Sequence, residues 1–201
     1  MAVTLRRQGY PAAALRGGLA RWIARGYPLE YGVEHGDPQE RGGERSMTAA
    51  VDYGRALREI ASLASSGAGA AQAIVDYLHG HFPDYSWVGI YWVEGSDLVL
   101  GPWRGPEATQ HTRIPIGTGI CGAAAASGRT EVVADVSTDP RYLACFPYTK
   151  SEIVVPIVRH GQVIGEIDID SRRPAAFGPE DQRFLEQVAA LLAPLGPLRK
   201  R

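Results

Sequence analysis

Apolar residues first recur at helical spacing just after Thr48. Val51, Leu57, Ile60, Ala61 and Leu63 fall on one side of a helix that Ser65 to Ala68 bring to an end. A second helix turns Ala71, Ile74, Val75, Leu78 and Phe82 inward. The period then changes to strict alternation. Tyr85 to Val93 is rich in aromatic and β-branched residues and predicts a strand, with Trp87, Gly89, Tyr91 and Val93 on one face and Val88, Ile90 and Trp92 on the other. Gly95-Ser96-Asp97 turns the chain into a strand over Leu98 to Leu100, and Arg113 to Ile116 adds a short extended piece. Gly117 and Gly119 lead into a small helix around Cys121 to Ala126, closed by Gly128. Glu131 to Ala134 returns as a strand, and residues 135–151 form a long irregular loop. A hairpin across His160-Gly161 joins Glu152 to Arg159 with Gln162 to Asp170. Pro179, Glu180 and Asp181 open a last helix whose Phe184, Leu185, Val188, Leu191 and Leu192 face inward.

Strands in hairpin order, with helices gathered toward the two ends, predict an α+β fold. Its centre is an antiparallel sheet with helices packed on one face. Residues 1–46 read differently, mixing Arg, Gly, Pro and Glu without sustained periodicity. They are expected to be a poorly ordered extension, with Met47 the natural start and one domain over 47–198. A loop as long as 135–151 inside one small domain is usually functional.

Composition narrows the function classes. A net charge of -1 gives no case for nucleic acid or a membrane surface. No run of 18 apolar residues exists to span a bilayer. Two cysteines cannot build a disulfide scaffold, and the expected compartment is the reducing cytosol. His111, Cys121, Cys145 and His160 lack the short-range spacing of a metal site, so no metal is expected. Gly117-x-Gly119-x-x-Gly122 lacks the βαβ frame of a dinucleotide fingerprint.

The candidate chemistry lies in the loop and the last hairpin. Alternation puts Ile164, Glu166, Asp168 and Asp170 on one strand face, and Glu152 shares its alternation with Val154, Pro156 and Val158. Two readings stand open: a wet sheet face, or a clamp for an ammonium group in which one carboxyl keeps its proton and serves as an acid. Cys145 is either a small buried hydrophobe or a reactive loop thiol. Cys121 is either a packing residue or a thiol whose thiolate is favoured by peptide N–H groups at its helix start. Trp87 and Tyr91 are either core or an apolar wall for a methyl or thioether group.

From these residues the chain resembles the free methionine-(R)-sulfoxide reductase family of GAF domains over residues 84–195. The resemblance rests on Trp87-Val88-Gly89-Ile90-Tyr91, Arg113-Ile114-Pro115-Ile116-Gly117, Gly119-Ile120-Cys121-Gly122, Ala144-Cys145, Ser151-Glu152-Ile153-Val154 and Ile167-Asp168-Ile169-Asp170-Ser171. It implies reduction of free L-methionine-(R)-sulfoxide, with Cys145 as nucleophile passing through a sulfenic acid or disulfide. Cys121 then falls on a second, resolving thiol, Trp87 and Tyr91 on pocket aromatics, and Glu152, Asp168 and Asp170 on substrate carboxylates. It further implies no cofactor, recycling by an external dithiol such as thioredoxin, a role in oxidative stress and a homodimer. Two departures stand out: His111 occupies the place of the family's usual resolving cysteine, and Phe146-Pro147 follows Cys145 where the family is commonly more polar. The alternative is a GAF sensor that keeps the pocket without turnover.

Overall fold

The chain folds around a six-stranded, wholly antiparallel sheet in a computed structural model that describes residues 52–197. The expected extension over 1–46 lies outside the described residues. Helix α1 (Tyr53–Ala64) starts where the Asp52 carboxylate accepts the Arg55 N–H at 2.8 Å. After α2 (Ala70–His81) come β1 (Trp87–Glu94), β2 (Asp97–Arg104) and β3 (Arg113–Pro115). Helix α3 (Gly119–Ser127) and strand β4 (Glu131–Val133) precede the long loop. The chain then runs through β5 (Ser151–Arg159), β6 (Gln162–Ser171) and α4 (Pro179–Leu192). The sheet order is β3-β2-β1-β6-β5-β4, which sets β6, the longest strand, at the centre between β1 and β5.

The two sheet faces bury different things. Val88, Ile90, Ile153, Val155, Ile157, Ile167 and Ile169 meet α1, α2 and α4 in an apolar core containing Phe82 and Phe184. Three helices thus cover one face, as the apolar stripes predict. The short α3 lies on the other face, where Ile120, Cys121, Ala124 and Ala125 pack with Trp87, Tyr91 and Val154. Its small residues let it sit close. A Cβ on Gly122 would lie 2.7 Å from the Pro115 carbonyl, which only a glycine tolerates.

Two strand details depart from simple alternation. β2 runs to Arg104 and does not stop at Leu100, because the Gly101-Pro102 pair is absorbed by a register shift against β1. In β6, Gly165 pairs with Ile157 and Val163 with Val158, so Ile164 is an extra residue. That bulge turns Ile164 to the helix side with Ile167 and Ile169, away from the acids that strict alternation gives it as neighbours. The hairpin between β5 and β6 turns as expected, His160 and Gly161 having φ of 52° and 77°.

The 135–151 loop is tied down. The Val136 N–H donates to the Lys150 carbonyl at 2.9 Å, and the Lys150 N–H to the Ser171 carbonyl at 2.7 Å, which closes the loop at its base. Arg141 holds Asp139 at 2.7 Å and Glu131 at 3.0 Å. No described helix is long and apolar enough to cross a membrane.

Candidate active site

The site is a grid of side chains on the α3 side of three adjacent strands. β1 sets Trp87 opposite Asp170, Gly89 opposite Asp168 and Tyr91 opposite Glu166. β5 sets Glu152 opposite Asp170 and Val154 opposite Asp168. Antiparallel pairing and a period of two therefore gather four acids that are up to 18 positions apart in sequence. All four are buried: Glu152 is 5% exposed, Glu166 0%, Asp168 2% and Asp170 2%. The wet-face reading is excluded, because α3 and the long loop cover this face.

Burial without partners makes the acids unusual. Among the described residues, both Glu166 carboxylate oxygens and Asp168 Oδ1 find no hydrogen-bond partner. A buried carboxylate in that condition is costly, so burial favours its protonated form. Burial, reinforced by the neighbouring acids, pushes Glu152, Glu166 and Asp168 well above the usual carboxylate range. Burial raises Asp170 to about 7; the nearby Thr149 hydroxyl opposes that rise, although it sits outside hydrogen-bonding geometry.

These shifts have a definite sign in stability. A carboxyl raised in the folded state keeps a proton that the unfolded chain releases, so stability falls as pH climbs from the ordinary carboxylate range toward about 7. Glu166→Gln is therefore expected to raise the Tm at pH 7. The gain should shrink toward pH 4. Thermal melts at the two pH values check it, and an unchanged or lowered Tm at pH 7 would contradict the burial argument.

Both cysteines open onto this grid. Cys121, the third residue of α3, places Sγ 3.8 Å from Glu152 Oε1. It is buried, and its thiol is pushed well above the ordinary value by burial and by Asp168, Glu166 and Glu152. Of the two readings of Cys121, thiolate stabilisation at the helix start is the one these surroundings oppose, because desolvation and the acids act against the peptide dipoles. Cys145 is partly buried at the rim, raised by burial and by Asp168 and Asp170, with Thr109 pulling the other way. The loop carrying Cys145 lies directly on α3, since a Cβ on Gly119 would meet Leu143 Cδ1 at 2.8 Å.

The wall is aromatic. Trp87 stacks on Trp103 at 6.2 Å between ring centroids and meets Phe146 at 5.8 Å. Phe146 in turn stacks on Tyr148. Trp87 Nε1 is buried and has no partner among the described residues. Tyr91 spends its hydroxyl on the His111 carbonyl at 2.9 Å, and the His111 N–H donates to Thr109 Oγ1 at 3.1 Å. His111 thus anchors Tyr91 through its main chain. Thr109 and Glu166 are the site residues that sequence reasoning did not assign. Thr109 stands in a segment without periodicity, whereas Glu166 carried a usable signal in its alternation with Asp168.

Glycines shape this wall. A Cβ at Gly89 would clash severely with Cη2 and Cζ3 of the Trp87 indole. Gly89→Ala is expected to displace that indole and to destabilise the protein by about 1–3 kcal/mol, measured by denaturant unfolding together with tryptophan fluorescence.

A model of the GAF domain matches residues 52–194 of this chain. The free methionine-R-sulfoxide reductase of Escherichia coli is 40% identical over 115 residues, covering 57% of this chain and 68% of that protein. The chain belongs to the GAF-domain free methionine-R-sulfoxide reductase family. Among solved structures, type II free methionine-R-sulfoxide reductase from Thermoplasma acidophilum superposes with a TM-score of 0.62 at 44% identity, covering 66% of this chain and 94% of that one. The Neisseria meningitidis free methionine-R-sulfoxide reductase, solved in complex with its substrate, gives 0.66 at 37% identity, over 71% of this chain and 86% of that one. Membership fits the pocket: like the reductases, this chain has a GAF sheet, and one face of it carries thiols and acids in place of a solvated surface.

Proposed function

We propose that the chain reduces free L-methionine-(R)-sulfoxide to methionine, with Cys145 as the nucleophile. The observation that carries this reading is the meeting of a rim thiol with four buried acids under an indole wall, in a chain whose relatives are named for that reaction. An amino acid brings an ammonium, which offsets the charge of any carboxylate that ionises beside it. That positive charge also lowers the Cys145 thiol toward ionisation, so the thiolate forms when substrate is present. Acids that hold a proton at neutral pH are suited to protonate the sulfoxide oxygen. Trp87 offers an apolar face to the thioether methyl.

The steps balance simply. The Cys145 thiol attacks the substrate sulfur, oxygen passes to Cys145 as a sulfenic acid, and methionine leaves. The Cys121 thiol then condenses with the sulfenic acid, forming a Cys121–Cys145 disulfide and releasing water. A thioredoxin-like dithiol reduces that disulfide and is itself oxidised, which calls for the reducing cytosol. Glu152, beside Cys121 Sγ and carrying a proton, can hand that proton to the departing hydroxide, which leaves as water, while it takes up the proton of the thiol.

Reduced protein mixed with racemic free methionine sulfoxide and dithiothreitol should form methionine and consume one enantiomer only. Substrate binding without methionine formation would return the chain to the sensor reading. N-acetylated methionine sulfoxide, lacking the ammonium, is expected to show at least about tenfold lower kcat/KM, the loss of one charge-assisted contact. After one turnover without reductant, mass spectrometry of alkylated peptides should find Cys121 joined to Cys145. A free Cys121 beside a sulfenic Cys145 would instead mean direct reduction from outside.

A further inference from the structure

The four acids exceed what one ammonium requires. A single positive charge is matched by one or two carboxylates, yet this pocket buries four, together with a thiol. Three of these groups form a compact set. Cys121 Sγ, a Glu152 oxygen and an Asp168 oxygen all lie within 4.8 Å of one another. Around a tetrahedral zinc, S and O donors at about 2.0–2.3 Å from the metal stand roughly 3.3–3.6 Å apart. Closing the set needs side-chain movements of about 1 Å, within the range of rotamer adjustment in the Glu152 side chain. Outside the cluster, both Glu166 oxygens are fully buried and unpartnered among the described residues, as is Asp168 Oδ1 within it. Buried oxygens without donors are satisfied by protons or by a cation.

We propose that this pocket binds a thiophilic divalent cation of the zinc class through Cys121, Glu152 and Asp168. Glu166, two residues before Asp168 on β6, is the further oxygen donor for the fourth position. The residues come from α3, β5 and β6, which is why no spacing in the sequence announces them. Binding displaces the protons of the ligating groups, so the dication takes the place of protons and not of another metal. Occupancy ties up Cys121 and two acids, and so makes the cation an inhibitor that competes with substrate. That consequence rests on the reductase reading, whereas binding itself does not.

The test is titration of Zn2+ into reduced, substrate-free protein against a chromogenic chelator, with Co2+ as the spectroscopic probe. One equivalent should bind, and the cobalt form should show a thiolate-to-metal charge-transfer band. Cys121→Ser is expected to remove that band. Glu152→Gln and Asp168→Asn should each weaken affinity by at least about tenfold, while Cys145→Ser should leave the band and the stoichiometry in place. In the unmodified protein, Zn2+ should slow alkylation of Cys121 far more than that of Cys145, a readout that needs no variant to fold. Absence of saturable binding, or a charge-transfer band that survives Cys121→Ser or vanishes with Cys145→Ser, would overturn the assignment. If Zn2+ binds as described but the protein shows no reductase activity, the metal site stands and only its inhibitory role falls.

Discussion

Cys145→Ser is expected to abolish methionine formation from free methionine sulfoxide, a loss of several decades in kcat, while the fold remains intact. Cys145 sits at the rim of the α3-side cluster, outside the fully buried core, so replacing sulfur by oxygen removes little packing. Its environment is raised by burial and by Asp168 and Asp170, and a serine hydroxyl there is a far weaker nucleophile than a thiol. Quantifying methionine under dithiothreitol, beside a melting curve, separates chemistry from folding. Turnover near that of the unmodified protein would end the proposal that Cys145 is the nucleophile. Cys121→Ser should behave differently. It should keep a first turnover and lose recycling by a dithiol of the thioredoxin type, because only its role as second thiol is removed.

Glu152→Gln and Asp168→Asn are expected to lower kcat/KM by roughly one to two decades each, the effect of losing about 1.5–3 kcal/mol from a charge-assisted hydrogen bond. The same changes should raise thermal stability at pH 7. Each removes a buried acid that unfolding would free to ionise, since both groups are held well above the usual range. Opposite signs in activity and stability distinguish a functional acid from a structural one. A structural hydrogen-bonding acid would lose both together. Steady-state kinetics and melts on the same preparations read the two signs directly. If all three amide variants, Asp170→Asn included, turned over like the unmodified protein, the acids would have no part in the reaction. The Glu166→Gln variant provides the reference, because Glu166 shares the burial without an assigned contact to substrate.

Local periods in the chain made nearly all the elements legible, together with the faces on which most of their residues lie. Alternation in β1 and β6 separates Trp87 and Tyr91 from Val88 and Ile90, and Asp168 and Asp170 from Ile167 and Ile169, because successive strand side chains point to opposite faces. The helical stripes of α1, α2 and α4 were legible for the same kind of reason, a fixed local period. The motifs around Cys121, Cys145 and Glu152 carried the family. What the sequence could not determine is how deep the acidic face lies. A row of acids on one strand reads equally as a wet surface or a closed pocket, and only the docking of α3 and the tied 135–151 loop over β5 and β6 chose the pocket. The tertiary structure also set burial and nearby acids against the peptide dipoles at Cys121, since the field at a helix start is local but desolvation depends on what packs around it. It brought Thr109 and the His111 main chain to the site across long stretches of sequence, and it turned Ile164 away through a bulge. Period and motif are properties of neighbouring residues, whereas burial, register shifts and the electrostatics they set belong to contacts between distant ones.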